Sequence, residues 1–94
     1  MLSQVYYLLR LKKDGSYASA NPDPDAATKY LLLFQQDYDA LSYVNAHGKD
    51  VADKFAVESI ASTQLKSILQ RWGFQGVGVV QDPLVPQIEF LAVG

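Results

Sequence analysis

The residues best suited to acid–base chemistry in this 94-residue chain are one histidine and a close pair of aspartates. His47 is the only imidazole, so the chain can form neither a multi-histidine metal site nor a Ser-His-Asp set with an imidazole to spare. Asp37 and Asp39 lie two apart at a predicted helix start, a spacing that points their carboxylates away from each other. We therefore interpret the aspartates as residues that stabilise a helix terminus, and His47 as a surface residue at the end of that helix.

Two further patterns could be taken for ligand sites. Asp23 and Asp25 stand in a loop with two prolines, but a calcium loop needs several more oxygen ligands at fixed offsets. The run from Gly76 to Gly78 resembles a phosphate loop, yet a dinucleotide fingerprint requires a helix directly after it and none is predicted there. No serine lies in a Gly-x-Ser-x-Gly turn. We expect no catalytic, cofactor-binding or metal-binding residues.

The charge composition argues against a nucleic-acid partner. The net charge is −2, and of the eight basic residues only Arg10, Lys12 and Lys13 lie together. Affinity for a phosphate backbone comes mostly from clustered Lys and Arg. Tyr6 with Arg10 and Lys12 on one strand face resembles an RNA-recognition sheet only faintly, without its aromatic motif. The absence of cysteine excludes disulfides and thiolate metal sites, and fits a reducing compartment.

Hydropathy predicts neither a signal peptide nor a membrane span. No positively charged leader precedes an apolar segment, and no apolar run approaches the roughly eighteen residues that a spanning helix needs. We expect a soluble, cytoplasmic protein that makes no membrane contact.

Alternating and apolar runs predict strands, and apolar residues at helical spacing predict helices. Strands are predicted over 3–12, 29–34, 55–60, 76–80 and 87–93, and helices over 37–47 and 62–72. An Asp14-Gly15 hairpin follows the first strand and allows residues 17–20 to pair back briefly. Pro86 marks the last strand as an edge strand or as opening there.

This pattern predicts one α+β domain over residues 1–94, a two-layer α/β sandwich in the order β-(β)-β-α-β-α-β-β. The length suits one core and no more. Helical crossovers make the strands at 30–34, 55–60 and 76–80 parallel neighbours in a mixed sheet of about five strands. We expect the two helices mainly on one face of that sheet.

The helix ends carry recognisable signals. Asp37 and Ser62 are predicted N-caps. Gly48 and Gly73 are predicted to end the helices in the left-handed conformation, with Phe74 placed for the apolar contact of a Schellman ending.

The strands carry more apolar side chains than two short helices on one face could cover. Monomers seldom leave a large apolar patch in water, so we predict that the opposite face contacts a second copy or another protein. Its residues are Tyr6, Leu8, Leu31, Leu33 and Leu91. The alternative is that the 13–28 loop folds across this face. Trp72, on the apolar stripe of its helix, is a core or core-rim residue, or else a partner anchor.

Four segments carry a family resemblance: VYYLL, YLLLFQQDYDALSYV, VESI and RWGFQGVGVV. Together they resemble a family of small uncharacterised cyanobacterial and plastid α/β domains, and are also similar to the N-terminal domain of SseB-type proteins. The matched positions are mostly packing and capping residues. The resemblance implies the fold and a bacterial cytoplasmic setting, and it implies no assigned catalysis.

We therefore predict a noncatalytic protein-interaction domain that self-associates, as a homodimer or with a protein partner. The alternative is a small-molecule-binding or sensor domain with a pocket near the 13–28 loop. An enzyme ranks third, because no set of polar residues converges.

Overall fold

The computed structural model describes residues 5–23 and 25–92, so the predicted strand ends at residues 3 and 93 lie outside the described residues. Two 3₁₀ helices, Lys49–Lys54 and Ser62–Gln64, precede the third long strand and the second α-helix. The strands and α-helices follow in the order β1 (Val5–Leu11), β2 (Ser19–Ala20), β3 (Tyr30–Phe34), α1 (Asp37–His47), β4 (Phe55–Ala61), α2 (Leu65–Trp72), β5 (Gly76–Asp82) and β6 (Gln87–Ala92).

The strands form one mixed sheet in the order β4-β1-β3-β5-β6, with β2 paired to β3. The β3–β5 pair is parallel, and the other pairs are antiparallel. The predicted α+β class, the element order and the mixed sheet are confirmed. β3 lies centrally, as its apolar run predicts, and Leu31 to Phe34 are all buried.

The two α-helices lie on opposite faces of the sheet, so the prediction that they share one face is wrong. That prediction assumed that β3, β4 and β5 are neighbours in chain order. Instead β1 lies between β3 and β4, and β5 lies on the other side of β3. The connection through α1 therefore runs towards one edge and the connection through α2 runs back across the sheet. Two crossovers of the same hand that run in opposite directions place their helices on opposite faces.

Each face has its own apolar core. The core on the α2 face consists of Leu69 from the helix and the strand residues Leu8, Leu31, Leu33, Ile60, Val77 and Val79. The core on the α1 face consists of Ala40 and Val44 from the helix and the strand residues Leu9, Leu32, Phe34 and Val80. Side chains from one strand enter the two cores alternately, as the two-residue period of a strand requires.

The helix starts differ from the prediction. Gln36 is the residue before α1, with no side-chain capping bond, and Asp37 is already helical. Ser62 begins a 3₁₀ turn, and α2 starts three residues later at Leu65. Both predicted capping roles are therefore wrong, although Asp37 still places a carboxylate in the first turn, where the helix dipole favours it.

The helix ends agree in part. Gly73 ends α2 with φ 73°, and Phe74 donates its N–H to the Leu69 carbonyl at 2.9 Å, as predicted. Gly48 has φ −147°, so the predicted left-handed ending of α1 is wrong. The chain continues from Gly48 into the 3₁₀ helix over 49–54.

The first loop forms the predicted hairpin. Leu11 donates its N–H to the Ser16 carbonyl at 2.7 Å, and Gly15 takes the positive φ of 76° that the turn needs. Tyr17 then bridges Arg10 before the chain enters β2. No helix in the described part of the chain is both long enough and apolar enough to cross a membrane.

Candidate interaction surface

Three of the five predicted partner-contact residues lie beneath α2. Leu8, Leu31 and Leu33 are at most 1% exposed and belong to the core that includes Leu69 of that helix. A side chain with no accessible surface cannot contact a partner of the folded domain. The prediction that they form a contact surface is therefore wrong, because the second face of the sheet has its own helix.

The other two predicted residues are accessible to different degrees. Tyr6 is half-buried and packs at the margin of the same core. Leu91 is 46% exposed and lies on β6, the outer strand of the sheet. The alternative prediction was that the 13–28 loop covers this face. Instead α2 covers it, and Tyr17 from the loop packs beside the helix. Only Leu91 keeps the surface role that the sequence suggested.

β6 is an edge strand with one paired side. It pairs with β5 from Gln87 to Ala92, and no strand of the described chain pairs with its other side. Ile88 alone is half-buried, and every other residue of β6 is exposed. An edge of this kind presents a row of backbone N–H and C=O groups to a partner.

The apolar residues of β6 stand on both faces of the strand. Phe90 lies opposite Gly78, on the α1 face, with its ring 5.3 Å from the Tyr30 ring in an edge-to-face contact. Leu91 lies opposite Val77, on the α2 face. Phe90 remains 37% exposed despite its contact with Tyr30. The outer edge is thus apolar above and below the plane of the sheet.

Two glycines of β5 allow β6 to lie close to it. A Cβ on Gly76 would be 2.1 Å from the carbonyl oxygen of Leu91. On Gly78 it would lie 3.1 Å from side-chain atoms of Ile88 and Phe90. The two glycines therefore allow β6 to pack closely on β5.

The turn between β5 and β6 adds two exposed apolar side chains, Leu84 and Val85. His47 Nε2 donates to the Pro83 carbonyl at 2.8 Å, and Asp82 Oδ1 accepts the Leu84 N–H at 2.9 Å. These bonds hold the turn against the end of α1. His47 therefore has a structural role, although its partner is a neighbouring turn and not the terminal carbonyls of its own helix.

A second group of side chains converges beside the end of α2. Arg10 Nη1 donates to Glu58 Oε2 at 2.9 Å, and the Tyr17 hydroxyl donates to Glu58 Oε1 at 3.3 Å. The Tyr17 ring packs edge-on against Trp72, with the ring centres 5.7 Å apart. The Arg10 guanidinium lies 5.9 Å from the centre of the Tyr17 ring. We call these four residues the aromatic cluster. Trp72 is thus a core-rim residue with one side in water.

The electrostatics of the aromatic cluster follow from these contacts. The hydrogen bond to Glu58, and then its negative charge, raise the pKa of Arg10. Partial burial, followed by the charge of Glu58, raises the pKa of Tyr17. Beside the cluster, the backbone N–H and then the hydroxyl of Ser16 lower the pKa of Asp14. None of these shifts prepares a group for proton transfer near neutral pH.

A shallow depression of about 520 Å³ adjoins the aromatic cluster and is lined by residues 10–15, Ala56 and Glu58. It lies at the start of the 13–28 loop, where the sequence placed the alternative small-molecule pocket. Its walls combine the Arg10–Glu58 ion pair with the loop backbone. The depression is wide open, so it would hold a ligand by one side only.

The residues with potential for chemistry do not converge. His47 contacts the Pro83 turn, and Asp37 accepts the N–H of its own neighbour, Tyr38. Within residues 5–23 and 25–92, no group of three or more His, Asp or Glu side chains is placed to hold a metal ion.

Of the exposed apolar residues on β6 and its turn, the sequence predicted a contact role for Leu91 but not for Phe90, Leu84 or Val85. The sequence offers one signal for this edge. The last strand, opened by Pro86, has apolar residues at both even and odd positions, and therefore on both of its faces. No family model, curated protein or solved structure matches the chain, so the family resemblance stays a prediction.

Proposed function

We propose that this chain is a noncatalytic protein-interaction domain that self-associates through the outer edge of β6. The single observation that carries the proposal is an edge strand with exposed apolar side chains on both faces, Phe90 and Leu91, and one charged residue, Glu89. Natural edge strands usually carry several charges, a bulge or a cover that prevents pairing. The register shift of the β5–β6 pair lies on the inner strand β5, between Val80 and Asp82.

Strand addition is the contact that suits such an edge. A partner strand would satisfy the outward backbone groups of β6, while alternate side chains would pack on Phe90 and Leu91. Both broad faces of the sheet are already covered by helices, so the edge is the remaining route for an apolar contact through the sheet. A second copy supplies a matching edge without any other component.

Solution mass tests the proposal. Sedimentation equilibrium from 1 to 100 μM is expected to show a dimer that dissociates on dilution. Leu91→Glu is expected to raise the dissociation constant about tenfold or more, because a carboxylate would lose its water against the partner strand. Leu41→Glu is the matched control, since Leu41 is 50% exposed and lies on α1, not on β6. A single-chain mass at every concentration would contradict the proposal.

The aromatic cluster supports a second candidate function, binding of a small molecule beside the 13–28 loop. A half-exposed indole next to an ion pair is a usual combination in a ligand site. Trp72 is the only tryptophan, so its fluorescence reports on this place alone. Titration with a metabolite panel should change the Trp72 emission and raise the melting temperature if the candidate holds. No response across the panel, with dimerisation intact, favours the interaction role.

A cytoplasmic setting belongs to the same proposal. It is supported by the absence of cysteine from the sequence and by the resemblance to bacterial cytoplasmic domains. A reducing compartment would not weaken the proposed self-association, because that association needs no disulfide.

A further inference from the structure

We infer that two copies pair through antiparallel β6 strands with Phe90 on the two-fold axis, so that one sheet continues through both molecules. This inference rests on the proposed self-association and specifies its geometry. It follows from the sequence of β6, from the face that each residue occupies, and from the one charge on the strand.

Symmetry limits the registers. Antiparallel β6 strands from two copies can pair edge to edge only about an axis perpendicular to the sheet. Such an axis keeps every side chain on its own face, and facing residues in an antiparallel pair share a face. Each residue must therefore face itself or a residue an even number of positions away. The axis then passes through a residue of β6, never between two residues.

The length of β6 reduces these registers to two. An axis through Glu89 or through Phe90 pairs five residues from each copy, whereas an axis through Ile88 or Leu91 pairs only three, when β6 runs from 87 to 92. More pairs satisfy more of the exposed backbone groups, which favours the first two registers.

Charge decides between the two. An axis through Glu89 sets the two carboxylates directly opposite each other, and like charges in that position are destabilising. It also brings Pro86, which has no N–H, opposite Ala92 at the end of the ladder. An axis through Phe90 instead sets the two rings opposite each other on the α1 face. Glu89 then faces Leu91, and Ile88 faces Ala92.

The aromatic pair is favourable where it stands. Phe90 already packs edge-on against Tyr30 of its own copy. Opposite aromatic residues on one face of an antiparallel pair stabilise the pairing beyond the area that they bury. Tyr30 and Phe90 of the two copies would form a row of four rings across the axis, over Gly76 and Gly78, which add no side chain there.

Disulfide trapping tests the register, and the natural chain has no cysteine to interfere. Directly opposite residues in an antiparallel pair are about 4.5–5.5 Å apart, within reach of a disulfide. Residues two positions out of register are about 7–8 Å apart, beyond it. Phe90→Cys is therefore expected to form a covalent dimer with oxidised glutathione at least several-fold faster than Glu89→Cys. Val85→Cys, exposed on the turn, measures random collision.

A second measurement is needed because Phe90→Cys also removes the ring that the inference places in the contact. Glu89→Gln keeps the ring and removes the charge. With the axis at Phe90, Glu89→Gln is not expected to lower the dimer dissociation constant. With the axis at Glu89 it would tighten the dimer about two- to fivefold, because two opposed charges are removed.

The outcomes separate the register from the association. A dimer in which Glu89→Cys is trapped faster, or Glu89→Gln tightens binding, overturns the inference and leaves the proposed function standing. A dimer in which neither cysteine is trapped faster than Val85→Cys overturns the β6 contact. A chain that stays monomeric removes both proposals. Fast trapping of Phe90→Cys without tightening by Glu89→Gln supports the inference.

Discussion

The two edges of the sheet are opposite in character. β4 and β6 each pair with one neighbour, β1 and β5, and both have an outer side without a strand partner among the described residues. β4 buries Ile60, half-buries Phe55 and Val57 beneath α1, and exposes only the small residues Ala56 and Ser59. β6 exposes every residue except Ile88. Both strands lack an outer neighbour, so the missing neighbour does not explain why only β6 exposes large apolar side chains. The difference depends on what covers the side chains of each strand.

Charge strengthens the contrast. On β4, Glu58 points over the α2 face and is held by Arg10 and Tyr17. An inward-pointing charge of this kind hinders the addition of another strand, because the added strand would bury it further. On β6, Glu89 accepts a hydrogen bond from Gln81 Nε2 at 3.3 Å, and its neighbours Phe90 and Leu91 are apolar. The β4 edge thus carries a charge that is held over the sheet, and the β6 edge carries exposed apolar side chains.

The largest expected effect comes from separating β6 from β5. In Gly76→Ala the new methyl group would overlap the backbone of Leu91, so the end of β6 must move away. We expect a loss of unfolding free energy of about 3 kcal/mol, the upper part of the usual overpacking range, together with loss of the dimer. Urea unfolding and sedimentation measure the two effects.

Gly78→Ala is the matched control for that change. The nearest atoms to its methyl group would be side-chain atoms of Ile88 and Phe90 at 3.1 Å, and not the backbone of β6, so a smaller loss of stability is expected. A loss in Gly78→Ala equal to that in Gly76→Ala would show that the backbone of β6 does not depend on the close approach.

An intermediate effect distinguishes the two edges directly. Ile60→Ala on β4 removes a side chain that is 4% exposed and is expected to cost about 2–5 kcal/mol of stability without changing the solution mass. Leu91→Ala on β6 is expected to cost less than about 1 kcal/mol in the monomer, since the side chain is already half in water, yet to weaken the dimer. If both variants change only stability, the edges do not differ as described.

The smallest expected effect is a pH dependence at the β4 side. Partial burial raises the pKa of Tyr17, so the folded chain keeps this proton to a higher pH than the unfolded chain does. The resulting stabilisation is complete below about pH 10, the ordinary value for tyrosine, and is lost as pH rises towards the raised value. Tyr17→Phe should flatten the fall in melting temperature between pH 9 and 11. An unchanged pH profile would contradict the assignment.

Local patterns in the sequence predicted the elements well. The run from Tyr30 to Phe34 predicted a strand covered on both faces, Gly73 predicted the end of α2, and Pro86 predicted an edge strand or the opening of a strand. These features depend on neighbouring residues and on backbone chemistry, which a sequence displays directly.

The order of the strands could not be read in the same way. Nothing local to β5 reports that it lies on the far side of β3 from β4, and that return across the sheet moves α2 to the second face. The surplus of apolar side chains was real, but its cause was a second core around Leu31 and Leu33, not an uncovered surface. The caps at Asp37 and Ser62 failed because the chain enters each helix one to three residues away from the expected point.

In the proposed pairing through β6, the unequal edges would limit how large an assembly of this chain can grow. A molecule with two adhesive edges would add copies indefinitely and form a fibre, whereas a molecule with one such edge stops at a pair. In that pairing the β4 edge with Glu58 would end growth, and the β6 edge with Phe90 would accept one further copy. Replacing Ala56 and Glu58 of β4 together by large apolar residues would give the chain two adhesive edges, and the pair would then extend into a polymer.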